Sequence, residues 1–220
     1  MHASLTGSSK LHDMVMKIYE NKSAPNPRRV RIFLAEKGID LATIEFVEVD
    51  IAGGENLRAE FAAKNPMRLL PMLELDDGTC IAETVAISRY FEEQQPQPAL
   101  FGRDASERVA VEMWNRRMDF HLLLPVIMAF RHLRGLFADR EPVVPAWGEA
   151  SFAAAERMFA WMDQHLADNE FIAGAYYSIA DITALCAIDF ARVVKLRIGA
   201  DQPHLQRWHD QVAARPSAEA

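Results

Sequence analysis

Three short stretches of this chain carry the side chains best suited to chemistry. The first is the turn Glu20-Asn21-Lys22-Ser23-Ala24-Pro25-Asn26-Pro27, leading into the helix-forming run Arg28 to Lys37. A Ser hydroxyl and an Asn carboxamide both donate hydrogen bonds, and a helix start adds outward N–H groups and the positive end of the macrodipole. Such a turn suits an anion: a thiolate, a carboxylate or a phosphate. Neither Ser23 nor Asn26 is a base strong enough to remove a proton, so either would act by stabilising charge already formed. The second stretch is Glu83-Thr84, where a strand pattern gives way to a helical one. It sets an acid able to pair with an ammonium next to a hydroxyl and free backbone N–H groups. The third is the helical run after residue 104, where Met113, Arg117 and His121 fall at i, i+4 and i+8 with Trp114 beside them. Each stretch also has a plainer reading. Asn26 can simply cap a helix, Thr84 can be an N-cap beside a surface Glu83, and the third set can be an ordinary helix-surface stripe. Metal chemistry is not expected. Among the seven His residues, His204 and His209 stand at i, i+5, off a shared helix face, and Cys80 and Cys186 form no C-x-x-C.

The elements that must position these residues can be read in order. Met16 to Tyr19 is a first strand. Asn26 before Pro27 reads as N-cap and first helical residue of a helix whose Val30, Phe33, Leu34 and Lys37 make one stripe, with Gly38 as its stop. Ala42 to Val49 is β-rich and reads as a second strand, parallel to the first across that helix. A loop at Gly53-Gly54 precedes a short helix, Leu57 to Lys64, carrying Leu57 and Phe61. Met72 to Leu75 and Thr79 to Ile81 flank Asp76-Asp77-Gly78, a hairpin signal. Val85 to Phe91 returns to helical spacing, and Gln94-Gln95-Pro96-Gln97-Pro98 reads as a linker. Beyond it the pattern is helical throughout. Asp104-x-x-Glu107 and Ser178-x-x-Asp181 are capping boxes, Pro125 predicts a kink or break, and Ala146–Leu166 and Pro203–Val212 are further helices.

The chain has 220 residues, half of them hydrophobic, enough for one large domain or two small ones. Its 24 basic and 31 acidic side chains give a formal charge of −7 with no basic tract, which argues against nucleic acid or an anionic membrane as partner. No apolar run is long enough to span a bilayer. Residues 1–13 resemble a vector-derived tag, with Met14 or Met16 as the natural start. The unpaired thiols suit a cytoplasmic protein.

With these motifs in order, the sequence resembles the soluble glutathione transferases of bacterial type over Lys17 to Pro216, with a Nu-class-like or theta/zeta-like N-terminal turn. The matching segments are Ser23 to Arg31; Asn65-Pro66 with Leu70-Pro71-Met72-Leu73; Asp76-Asp77-Gly78 followed by Ile81-x-Glu83-Thr84-x-Ala86-Ile87; and Phe171-Ile172-Ala173-Gly174 leading into Ser178-x-Ala180-Asp181. The resemblance implies a thioredoxin-like N-terminal domain (βαβαββα) over 14–93, a linker over 94–103, and an all-helical domain over 104–220. It also implies glutathione as co-substrate, a small electrophile as second substrate, and a homodimer. Pro71 would be a cis-proline that turns the Leu70 main chain outward to pair with the tripeptide as an added strand. Glu83 and Thr84 would take the γ-glutamyl group, while Met113, Trp114, Arg117 and His121 would face an electrophile between the domains.

Two departures from the family pattern leave questions open. Ala24 stands where many classes carry the Ser or Cys that meets the thiol, so Asn26 and Ser23 are both candidate catalytic residues, as are backbone groups alone. Leu69 stands where a Lys or Gln often holds the glycine carboxylate, which leaves Arg68 or a partner subunit. The function expected is glutathione conjugation, or glutathione-dependent peroxide or disulfide reduction. A non-catalytic binding or regulatory protein on the same scaffold is the rival.

Overall fold

The computed structural model describes residues 16–220. The expected leader at 1–13 and a start at Met14 lie outside them. The chain forms two compact units that meet at Pro98 and Ala99.

In the first unit, β1 (Met16–Glu20), α1 (Pro25–Glu36), β2 (Ile44–Glu48), α2 (Ala59–Lys64), β3 (Met72–Glu74), β4 (Cys80–Ala82) and α3 (Thr84–Gln94) follow in order. The sheet order is β2-β1-β3-β4, with β2 parallel to β1 and both β3 and β4 antiparallel to their neighbours. This is the thioredoxin-like arrangement. Alternation along β1 buries Met16 and Ile18 on one face of the sheet. On the other face Tyr19 and Leu70 pack against Phe61, Val49 and Met72. Helix α1 is buried on more than the one stripe read from the sequence, since Val30, Ile32, Phe33 and Leu34 are all fully buried. Its end follows expectation: Gly38 at φ +67° closes a Schellman motif, with Gly38 N–H on Ala35 O at 2.9 Å and Ile39 N–H on Leu34 O at 3.0 Å.

The start of α1 corrects the sequence reading. Asn26 is not the N-cap. The helix begins at Pro25, Ala24 is its cap, and no side chain caps it. Pro25 is itself suited to the first helical position, so the helix takes the earlier of two prolines and places Asn26 second.

The second unit is helical: α4 (Ala105–Met118), α5 (Leu124–Arg134), α6 (Pro145–Leu166), α7 (Ile179–Ala191) and α8 (Pro203–Ala213). Asp104 caps α4 by accepting from Glu107 N–H at 2.9 Å, while the Glu107 carboxylate reaches back to Arg103 N–H at 2.8 Å. Pro125 does not break the chain's path. A π-helical turn over Asp119–Leu123 joins α4 to α5, and the Leu124 N–H reaches five residues back to Asp119 O. That wide turn absorbs the hydrogen bond Pro125 cannot donate. Helix α7 is the centre of the unit, buried at nearly every position, and both halves of its Ser178/Asp181 capping box form. Among the described residues no helix is long and apolar enough to cross a membrane.

Candidate active site

Strand register brings three of the predicted stretches to one end of the sheet. Tyr19 pairs with Met72, so the exit of β1 lies beside the entry of β3, and Met72 pairs with Ala82, so the exit of β4 lies there too. The turn before α1, the Leu70-Pro71 segment and Glu83-Thr84 therefore share one edge of the first unit. Two helices, α1 and α3, also start there, and their N–H ends favour negative charge.

The turn after β1 is braced on several sides. Val49 N–H meets Glu20 O at 2.7 Å, and the Asn21 Nδ2 donates to Val49 O at 3.2 Å. Arg31 pairs with the buried Glu20 carboxylate and donates to Lys22 O at 3.3 Å. Burial pushes the Glu20 carboxyl up, and the Arg31 guanidinium partly offsets it. Ser23 is exposed and spends its hydroxyl proton on Asn21 Oδ1 at 2.5 Å. Asn26 is half-buried, and its Oδ1 accepts from Arg29 Nη1 at 3.1 Å. A guanidinium only donates, so this contact assigns the amide oxygen and leaves Nδ2 with both its protons for another acceptor. Pro25 and Pro27 have no N–H, and Ala24 N–H is taken by Asn21 O at 3.0 Å. Among the first groups of α1, Asn26 alone offers a main-chain donor.

The Leu70–Pro71 peptide bond is cis. Neither N–H nor C=O of Leu70 is bonded within the described chain, while its side chain packs inward. Two buried amides hold the approach to it: Asn56 Nδ2 donates to Arg68 O and Asn65 Nδ2 to Leu69 O, both at 2.8 Å. The Arg68 side chain is exposed and makes no ion pair among the described residues, and Leu69 is 53% exposed. Glu83 has φ +70°, a region L residues avoid at a cost of roughly 1–3 kcal/mol. It caps α3 through its main chain only, Ile87 N–H meeting Glu83 O at 2.9 Å, so the first N–H groups of α3 have no side-chain acceptor. The Glu83 carboxylate and the Thr84 hydroxyl likewise find no partner among the described residues, although Thr84 is largely buried.

Behind this edge, Tyr19 OH donates to Glu74 at 2.6 Å and Lys64 reaches both, at 2.8 and 2.5 Å. Lys64 holds the Glu74 carboxyl below its ordinary range, with Tyr19 adding to the effect.

The set on α4 divides. Arg117 lies 4.5 Å over the Trp114 ring, Trp114 meets His165 at 4.2 Å with the rings tilted by 30°, and Trp161 stacks on His165 at 5.4 Å. Burial lowers the His165 pKa, and its Nε2 is held by Ile172 O at 3.1 Å. Met113 and His121 remain exposed. His121 lies inside the π turn that follows α4, which spoils the i, i+4 phase with Arg117 read from the sequence. Among the described residues no group of three His, Cys, Asp or Glu is placed to hold a metal.

Arg29, Asn56 and Asn65 were missed as residues that shape this edge. An amide and a guanidinium at i, i+3 on one helix is a readable pair signal for Arg29. Asn56 carries no such signal, since its partner is a carbonyl twelve residues on.

Known proteins agree with this architecture in both units. Residues 18–99 match the family Glutathione S-transferase, N-terminal domain, and residues 143–216 match Glutathione S-transferase, C-terminal domain. Glutathione S-transferase 2 of Saccharomyces cerevisiae is 35% identical over 92% of this chain and 87% of its own. The crystal structure of Gtt2 from the same yeast superposes with a TM-score of 0.88 at 36% identity, covering 92% of this chain and 98% of that one. A glutathione S-transferase domain-containing protein of Marinobacter aquaeolei VT8 is 43% identical, with a TM-score of 0.87 over 91% of this chain and 98% of its own. With both domains matched and relatives of this identity along nearly the whole length, the chain belongs to the glutathione S-transferase family.

Proposed function

We propose that this member of the family is a glutathione transferase that lays the tripeptide across the shared end of the sheet and presents its thiolate to a small electrophile. The observation that carries the reading is the unbonded Leu70 main chain, flanked on one side by Asn26 and on the other by Glu83-Thr84. An extended peptide pairs with Leu70 as an added strand edge. Thr84 and the N–H end of α3 receive the γ-glutamyl carboxylate, Glu83 its ammonium, and Arg68 the glycine carboxylate in place of Leu69. Residues 14–93 bind glutathione, 94–103 link, and 104–220 supply electrophile contacts from Met113, Trp114, Arg117 and His121. Attack by the thiolate forms a sulfur–carbon bond as the leaving group departs with its electron pair. Catalysis comes from thiolate stabilisation and proximity, not from a side-chain base. The same reading carries a homodimer in the cytoplasm, with apolar surface on α4 such as Val109 (70% exposed) available for association. A non-catalytic scaffold is not favoured, because relatives spanning most of this chain carry the transferase name.

Asn26 is the sulfur contact in this reading. Its amide protons are unspent, whereas the Ser23 proton is already given to Asn21. Ultraviolet titration of bound glutathione is expected to show a thiol pKa below that of the free tripeptide. Asn26→Ala should move it back by about one unit, each unit being about 1.4 kcal/mol, and Ser23→Ala should leave it in place. Asn26 is not the helix cap, but Asn26→Ala removes one acceptor of the buried Arg29 guanidinium, so thermal stability is measured beside the pKa. Loss of the shift in Ser23→Ala alone would transfer the role to Ser23.

The clamp gives a second expectation. Glu83→Ala should weaken glutathione binding by roughly 1–3 kcal/mol, the range for a charge-assisted hydrogen bond. Calorimetry giving an unchanged Kd would move the glutamyl group elsewhere.

A further inference from the structure

We infer that Arg29 is a positioning residue for thiolate stabilisation, acting through Asn26; the inference rests on the assignment of Asn26 to the sulfur. A primary amide has two ends of similar shape and opposite polarity. Turned one way, Asn26 offers Nδ2 protons to an anion; turned the other, it offers an oxygen that repels one. Nothing in the amide itself chooses between them. Arg29 does, because its Nη1 sits 3.1 Å from Asn26 Oδ1 and a guanidinium can only donate. The oxygen is thereby held toward Arg29, and Nδ2 keeps both its protons for an anion.

Two further features make this contact matter. Arg29 is 4% exposed, so its guanidinium is a fixed part of the unit and not a mobile surface charge. Prolines at 25 and 27 remove the main-chain donors that would otherwise share the anion, leaving the side chain and N–H of one residue. In a helix with ordinary residues at those positions, a flipped amide would be offset by neighbouring N–H groups. Here the sign of the field at the end of α1 depends on which way Asn26 points.

The test is a double-mutant cycle read by the pKa of bound glutathione. Arg29→Met keeps the length of the stem and removes every donor. It is expected to raise the pKa by about one unit, a roughly tenfold loss of thiolate at a pH below it, matching Asn26→Ala. In the Asn26→Ala background it should add nothing. Arg29→Lys, which keeps a donor, should restore much of the shift. If Arg29→Met does not fold, Arg29→Leu, which also carries no donor, is read in its place with the same expectation. A normal pKa in Arg29→Met alongside a raised one in Asn26→Ala would overturn the inference and leave Asn26 as the sulfur contact. A rise that persists in the Asn26→Ala background would also overturn it, since Arg29 would then act on the sulfur directly by its charge. A pKa unmoved by Asn26→Ala would remove the parent assignment and this one together.

Discussion

Asp181→Ala is expected to destabilise the helical unit by about 3–5 kcal/mol, the range for removing one member of a buried charged network. The Asp181 carboxylate is fully buried and accepts four bonds: from Ile172 N–H, Ser178 N–H and Trp208 Nε1 at 2.9 Å each, and from Ser178 Oγ at 3.2 Å. It thus fastens the start of α7 to the turn before it and to α8. Truncation leaves the indole and two main-chain donors without their acceptor in a core where Asp181 and Trp208 are fully buried. Asp181→Asn should cost less, because its oxygen still accepts from Ile172 and Trp208 and its NH2 can donate to Ser178 Oγ, leaving the Ser178 N–H as the one donor that loses its acceptor. Its penalty should also depend on pH. Burial pushes the Asp181 carboxyl up to about 6, against 3.8 for its ordinary value, with the four donors pulling the other way. A group whose folded pKa is raised contributes stability that is fully present below the unfolded pKa and lost as pH rises through the folded one. Wild type should therefore lose roughly 3 kcal/mol relative to Asp181→Asn between about pH 4 and pH 6, at about 1.4 kcal/mol per unit. Urea unfolding of both proteins at several pH values reads this directly. A penalty that grows with pH would mean the donors outweigh burial.

This capping box was legible because Ser-x-x-Asp before an apolar run has a local mechanism that the sequence states completely. The same holds for Gly38 after α1 and for the Asp76-Asp77-Gly78 hairpin. Leu70-Pro71 and Glu83-Thr84 are a different case: in isolation they are an apolar pair and a cap, and only their order among four motifs suggests the role proposed for them, while the structure gives the cis bond at Pro71 and the start of α3 at Thr84. What failed was competition between local signals. Pro25 and Pro27 both suit a first helical position, and the cap preference favours Asn26 over Ala24, yet the helix starts at Pro25 with Ala24 as its cap. At 117–121 the i, i+4 reading broke because Pro125 was accommodated by a wide turn upstream instead of a break at the proline itself. The residues left out, Arg29, Asn56 and Lys37 in its buried role, are long or polar side chains whose types predict solvent. Their burial depends on partners far away in sequence, and periodicity does not encode it.

Lys37→Met is the second large effect expected, again about 3–5 kcal/mol, and it bears on how the first unit is closed. Lys37 lies one residue past α1, its side chain wholly buried, with Nζ 2.8 Å from Glu92 of α3 and 2.6 Å from Pro98 O. Gln95 Nε2 also donates to Lys37 O. One ammonium thus joins the C-terminal ends of α1 and α3 to the last residue of the unit. Methionine fills the stem's volume but takes the cation away from the Glu92 carboxylate, which is itself largely buried. An apolar replacement of both partners removes that asymmetry, since buried ion pairs contribute little net stability over well-packed hydrophobes. Lys37→Met with Glu92→Leu should therefore recover most of the loss in denaturant titrations. A double variant no better than the single one would place the stability in the contact to Pro98 O and not in the charge pair. The opposite end of α1 carries Asn26, and Lys37 takes no part in it. Calorimetry on the folded single variant should accordingly give a glutathione Kd within a few-fold of wild type, less than the tenfold that 1.4 kcal/mol represents. A larger loss would mean that the clamp at the end of α1 sets the geometry at its start.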